Sequence, residues 1–115
     1  MLKEKFEIVA VVDSNENMLN EMYSDEGICR CVSAADVPVD FDIALACVPH
    51  TMHAKITLPL LNSGKVVIKE KPLATSIEEA NLYNENMNLF TIVQRQFNPM
   101  FIKGKEKIES IGRIY

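Results

Sequence analysis

Glycine is scarce in this chain of 115 residues, occurring at only Gly27, Gly64, Gly104 and Gly112. None of the four belongs to a G-x-G-x-x-G, so these residues hold no loop in which backbone amides wrap a phosphate at a helix N-terminus. Cysteine is also sparse: three residues, an odd number, speak against a disulfide framework and for a reducing compartment. Basic residues are in the minority, 12 Lys and Arg against 16 Asp and Glu, and a net charge of −4 excludes the positive face of a nucleic-acid binder. No apolar run approaches the roughly 20 residues of a membrane span. The opening Met1-Leu2-Lys3-Glu4-Lys5 has no signal-peptide core, so the cytoplasm is the expected location. What remains is an ordinary globular composition, 48% hydrophobic and 24% charged, enough for one domain at most.

The most informative stretch is Val66-Val67-Ile68-Lys69-Glu70-Lys71-Pro72-Leu73-Ala74. Val and Ile without alternation read as a strand buried on both faces, the habit of parallel sheets. Pro72 has no amide to donate, so the strand stops before it. Ligands of such sheets sit outside the carboxyl ends of the strands, where Glu70 and Lys71 emerge.

Phe6 to Val12 reads as a buried strand closing on Asp13. Ser14 or Asn15 can cap a following helix whose apolar stripe is Met18, Leu19, Met22 and Tyr23. Gly27 ends that helix, and Ile28 to Val32 is a short strand. In it Cys29 and Cys31 share one face; with no second Cys or His pair at zinc spacing they read as structural. Ser33 to Asp40 is a turn or short helix, broken by Pro38. Ile43 to Val48 is another buried strand, with Cys47 in the core, and Pro49 ends it. Thr51 can cap a helix running to about Ser63, kinked at Pro59 and closed by Gly64. His50 and His53, three apart at its start, lack the further ligand a metal would need.

Ser76 to Glu79 is a capping box opening a helix with Ile77, Ala80, Tyr83 (or Asn84) and Met87 at helical spacing. Leu89 to Val93 is a strand, and Asn98 caps a last helix with Pro99 at its first position. Met100, Phe101, Ile108 and Ile111 are its expected core contacts, and Gly112 to Tyr115 opens a further strand. The alternation implies an α/β fold: a wound parallel sheet with flanking helices.

Three segments carry a family resemblance. Glu70-Lys71-Pro72-Leu73-Ala74 resembles the E-K-P signature of the glucose–fructose oxidoreductase/inositol dehydrogenase/MocA family. Upstream, Cys47 to Ala54 resembles its strand-end T-P-x-x-x-H turn; downstream, Val93-Gln94-Arg95-Gln96-Phe97-Asn98-Pro99 resembles its N/Q-R-x-F-x-P segment. The resemblance implies a Rossmann-like dinucleotide fold and hydride transfer between NAD(P) and a carbinol carbon of a sugar or polyol. It implies Asp13 as the acid on the adenosine ribose, with N-capping as its alternative role. No Arg follows Asp13 closely, which favours NAD over NADP. Pro49 and His53 fall at the nicotinamide end. Glu70 bonds the nicotinamide-side ribose or orients Lys71, Pro72 shapes the turn, and Gln94 and Arg95 meet cofactor or substrate oxygens. Lys71 is the implied catalytic residue, an ammonium that stabilises charge on the reacting oxygen or relays its proton. The alternative for Glu70 and Lys71 is a solvated charge pair at a strand end.

Against the family pattern, the first βα unit with its glycine loop has no counterpart in these residues. Residues 1–111 read as a partial dinucleotide-binding domain and 112–115 as the start of a substrate domain. In the strand order 3-2-1-4-5-6 the first strand is central, so its neighbours would have open edges and re-pair with each other or with another copy, making a homo-oligomer. The expected function is an oxidoreductase whose fragment is inactive alone. The alternative is a non-catalytic, self-associating module on a remnant Rossmann scaffold.

Overall fold

A computed structural model describes residues 5–22, 27–84, 86 and 88–111. Tyr23, Met87 and Gly112 to Tyr115 lie outside these, as do the side chains of Met22 and Ile111. Two compact units divide the chain, Met1–Ala44 and Leu45–Tyr115.

In the first unit, β1 (Ala10–Val12) runs parallel to β2 (Cys29–Cys31), with Ala10 opposite Cys29 and Val12 opposite Cys31. β1 is shorter than expected: Phe6 and Ile8 are 59% and 63% exposed, and residues 6–9 are outside the strand. Between the strands lies α1 (Glu16–Met22). Asn15 caps it, its Oδ1 accepting from the amides of Asn17 and Met18 at 3.1 and 3.4 Å. Leu19 is the buried residue of its stripe; Met18 is exposed. Cys29 and Cys31 are half-buried with free thiols while Arg30 between them is exposed, the alternation of one strand face. A 3-10 turn at Ala34–Asp36 follows, its first amides satisfied by Ser33 Oγ.

A second sheet has the order β3 (Ile43–Ala46), β4 (Val66–Lys69), β5 (Leu89–Thr91), with β4 and β5 parallel. The ladders fall into these two groups, and none joins β1 to β3 among the described residues, so the expected pairing of those two strands with each other is absent there. β3 is not buried on both faces: Ala46 is 5% exposed but Leu45 is 63% exposed. Cys47 is exposed, correcting its core assignment, because the strand has already ended at Ala46.

A 3-10 turn at His50–Met52 leads into α2 (His53–Asn62), which contains Pro59. Thr51 does not cap α2; Met52 holds that position without a side-chain bond, because Thr51 lies inside the 3-10 turn and the helix starts one residue later. The C-terminus closes as a Schellman motif. Gly64 donates to Leu61 O at 2.9 Å, Lys65 donates to Leu60 O at 3.1 Å, and Gly64 has φ +83°. α2 presents His53, Thr57 and Leu61 at four-residue spacing, all buried on one stripe that packs against β4.

α3 (Ile77–Leu82) is capped by Ser76, whose Oγ accepts from the Glu79 amide at 3.1 Å. The reciprocal half of the capping box is displaced by one residue, since the Glu79 carboxylate takes the amide of Thr75 at 2.7 Å and its hydroxyl. Ile77 is 76% exposed and off the core; Tyr83, just past the helix, is 5% exposed and carries the packing. After β5 comes a 3-10 turn at Gln94–Phe97, then α4 (Pro99–Ile111), with Asn98 Oδ1 capping the Met100 amide at 2.9 Å. Met100, Phe101 and Ile108 are 76%, 57% and 48% exposed, so the expected core face of α4 is largely uncovered, with the Gln94–Phe97 turn as its described neighbour.

Candidate functional site

The carboxyl end of the second sheet is where its polar residues gather. Glu70 donates its amide to Ala46 O at 3.2 Å, and Ile92 donates to Lys69 O at 2.9 Å. These rungs end the ladders on either side of β4, so the chain leaves the sheet at Glu70 and, one strand over, at Val93 and Gln94. Both Glu70 carboxylate oxygens accept from Gln94 Nε2, at 3.1 and 3.0 Å. A carboxylate so held keeps lone pairs for further donors while its rotamer is set. Lys71 follows, exposed, and the Lys71–Pro72 peptide is cis.

Beneath that turn is a polar layer. Val67 and Lys69 are both fully buried, the two inward positions of a strand whose other face carries Val66 and Ile68. Lys69 Nζ donates to Leu73 O at 2.6 Å and to the Tyr83 hydroxyl at 3.5 Å, and lies 4.5 Å from the centroid of the Tyr83 ring. The Tyr83 hydroxyl shares a 2.8 Å hydrogen bond with Thr57 Oγ1, which lies 2.8 Å from His53 O and donates to it. His53 Nε2 is 3.0 Å from Val48 O. The layer thus joins α2, β4 and the end of α3. No buried polar side-chain atom among the described residues lacks a partner, as burial in low dielectric requires. Burial lowers the Lys69 pKa from its usual 10.5, partly opposed by the Glu79 carboxylate. Burial likewise raises that of Tyr83 above 10.0.

Of the residues singled out from the sequence, Glu70 and Gln94 are brought into direct contact, with Lys71 and Pro72 on the same turn. Arg95 is exposed beside Gln94, its carbonyl accepting from the Asn98 amide at 3.0 Å. Pro49 is exposed at the end of its strand, and its carbonyl accepts from Met52 at 2.8 Å. His53 is 1% exposed and engaged with the backbone just before Pro49. His50, 5.6 Å from it between ring centroids, is exposed. Asp13 belongs to the first unit; it is exposed, and its Oδ1 accepts from the Asn15 amide at 2.8 Å, so it shares the turn with the true cap, Asn15. Among the described residues no three His, Cys, Asp or Glu side chains cluster as metal ligands. No helix among them is long and apolar enough to cross a membrane.

Asp13 in the first unit and Glu70 in the second each carry an acceptor-only carboxylate just beyond a strand, able to take hydrogen bonds from hydroxyl donors. A pyrophosphate finds no glycine cradle among the described residues: Gly27 lies in the turn before β2, Gly64 closes a helix and Gly104 lies inside α4. Lys69 and Thr57 have no role in the sequence reading and Tyr83 enters it only as an apolar stripe residue, although the alternation Val67, Lys69 places the lysine on the buried face.

Comparison with known proteins agrees with this geometry. The chain is 27% identical over 121 residues to Oxidoreductase P35 of Formosa agariphila, covering 96% of this chain and 38% of that protein. It is 28% identical over 122 residues to an uncharacterized oxidoreductase of Schizosaccharomyces pombe, covering 98% and 33%. The chain therefore spans little more than a third of the curated relatives it matches. Its fold is that of the WlbA dehydrogenase of Bordetella pertussis, solved with NADH and UDP-GlcNAcA, at TM-score 0.87, 24% identity and coverage of 99% and 38%. Myo-inositol 2-dehydrogenase of Lactobacillus plantarum shares it at TM-score 0.80, 21% identity and coverage of 94% and 35%. Residues 1–88 match the family model described as "Oxidoreductase family, NAD-binding Rossmann fold", and the chain belongs to that family, the glucose–fructose oxidoreductase/inositol dehydrogenase/MocA oxidoreductases.

Proposed function

We propose that this chain is the nicotinamide-side portion of the cofactor domain of an NAD(P)-dependent oxidoreductase acting on a sugar or polyol. The observation that carries the reading is the paired exit of β4 and β5, where the Gln94 amide fixes the Glu70 carboxylate next to Lys71. In this reading Glu70 accepts a hydrogen bond from the ribose on the nicotinamide side, and Gln94 sets its rotamer. Pro72 shapes the turn. Pro49 and Arg95 border the site from neighbouring strand ends, and His53 holds the backbone before Pro49 in place. Asp13 would accept from the adenosine ribose, and NAD is preferred because no Arg follows it closely. The bound nicotinamide supplies the acceptor or donor of a hydride. Lys71 provides its side-chain nitrogen beside the substrate oxygen: as the ammonium it stabilises negative charge on that oxygen, and as the neutral amine it takes the hydroxyl proton while the hydride leaves carbon.

By themselves the 115 residues contain no G-x-G-x-x-G, so the chain alone is expected to bind NADH weakly and to be inactive. Residues 112–115 are read as the start of the substrate domain. NADH fluorescence titration tests this: saturation at micromolar concentration by the isolated chain would refute the division of labour. Replacing Lys71 by Met in the oxidoreductase that carries the chain is expected to lower kcat by about 10²–10⁴-fold with little change in NADH affinity. An unchanged kcat would remove Lys71 from the chemistry.

A self-associating module is the second reading, favoured by the uncovered sheet face. Phe90, paired with Ile68, is 55% exposed, and Leu45 is 63% exposed, whereas parallel sheets are ordinarily covered on both faces.

A further inference from the structure

The geometry points to Lys69 as a positioning residue: its buried ammonium braces the Glu70–Leu73 turn from beneath and thereby fixes where Glu70 and Lys71 stand. The inference rests on the reading of that turn as the cofactor-facing edge, and it concerns a residue that reaches no solvent. Lys69 is fully buried at the last position of β4, and its Nζ returns past the turn to donate to Leu73 O at 2.6 Å. Backbone at 69 is held by the sheet, through Ile92 N to Lys69 O at 2.9 Å. One side chain therefore closes a loop of which Glu70, Lys71 and Pro72 are the interior. Leu73 itself is 48% exposed, so its carbonyl receives this bond from the buried side of a turn that otherwise faces outward.

The remainder of the layer is arranged around the same ammonium. The Tyr83 hydroxyl and ring take its other side, and Thr57 and His53 O extend the chain of bonds. Titratable groups facing it are Glu79 and Tyr83 from α3 and its end, and His53 from α2; Glu70 and Lys71 follow it along its own strand. A Met or Leu would fill the same volume without these bonds, so a purely space-filling role and a bracing role are separable by experiment.

Two variants and one spectrum decide between them. Lys69→Met in the oxidoreductase is expected to lower kcat/KM by about 10- to 100-fold, the scale of a small misplacement of reacting groups. Tyr83→Phe, which loses the hydroxyl but leaves the bond to Leu73 O, is expected to lower the melting temperature yet keep kcat/KM within about twofold. Equal losses in the two variants would reduce Lys69 to a fold-stabilising role and overturn the inference. If Lys69→Met does not fold, the unmutated protein labelled with ¹³C,¹⁵N-lysine answers instead. The Lys69 Cε resonance is expected to titrate below the exposed lysines, with the Lys71 and Leu73 amides moving at the same midpoint. Turn amides indifferent to that midpoint would overturn it. A protein whose turn braces as stated but shows no NADH-dependent change at residues 70–73 would leave Lys69 in place and refute the cofactor reading instead.

Discussion

At Lys69 the charge and the burial oppose each other, and the consequence can be measured against pH. Burial holds its folded pKa below 10.5, so between that depressed value and 10.5 the unfolded chain binds more protons than the folded one. Stability from this group therefore rises with pH through that window. Tyr83 acts oppositely: its folded pKa lies above 10.0, so above that pH the unfolded chain loses its proton first and stability falls. Urea unfolding is expected to show wild type gaining on Lys69→Met as pH rises towards 10; a constant difference would contradict the burial. Glu79 titrates at the acid end. Hydrogen bonds from the Thr75 side chain and amide hold its carboxyl below the usual 4.5, so its contribution is full above that value and lost as pH falls through the depressed one. Glu79→Gln should flatten that part of the acid branch. Sequence reasoning singled out Glu70, Lys71 and Gln94 because they occupy strand ends that any α/β reading points to. It missed Lys69 because a continuous Val-Val-Ile run suggests two buried faces, and a lysine at its end reads as surface until the pairing shows which face it joins.

Among the elements, most caps and the succession of strands and helices were legible, and packing partners were not. Asn15, Ser76 and Asn98 each satisfy amides of the first helical turn, as short-range rules require. Ser76→Ala is expected to cost about 1 kcal/mol by chemical unfolding. Gly64 is a sharper case, since its φ of +83° serves the Schellman closure and nothing lies within 4 Å of a Cβ placed there. Gly64→Ala should thus cost roughly 1–2 kcal/mol through backbone strain alone; a neutral result would contradict the left-handed conformation. The core roles expected for Ile77, Met100, Phe101 and Ile108 failed for a shared reason. Helical spacing marks an apolar stripe, but the partner that would cover it is a property of tertiary structure, and these four residues stay exposed while Tyr83 of the same α3 stripe is buried.

For the whole molecule, the decisive fact is that among the described residues the strands fall into a group of two and a group of three. The grouping agrees with a Rossmann order read without its central strand, and Phe90 and Leu45 are exposed on the second group. The isolated chain is therefore expected to self-associate at micromolar concentration in sedimentation velocity, and Phe90→Asp to weaken that association. A strictly monomeric isolated chain would argue against the open face and edges as an assembly surface. The central claim is that the exits of β4 and β5 form the nicotinamide-facing edge. Hydrogen exchange of the oxidoreductase that carries this chain, with and without saturating NADH, tests it most directly. The expected result is slowed exchange at residues 70–73 and 93–95 with α4 unaffected. NADH bound at saturation with those two segments unchanged would contradict it.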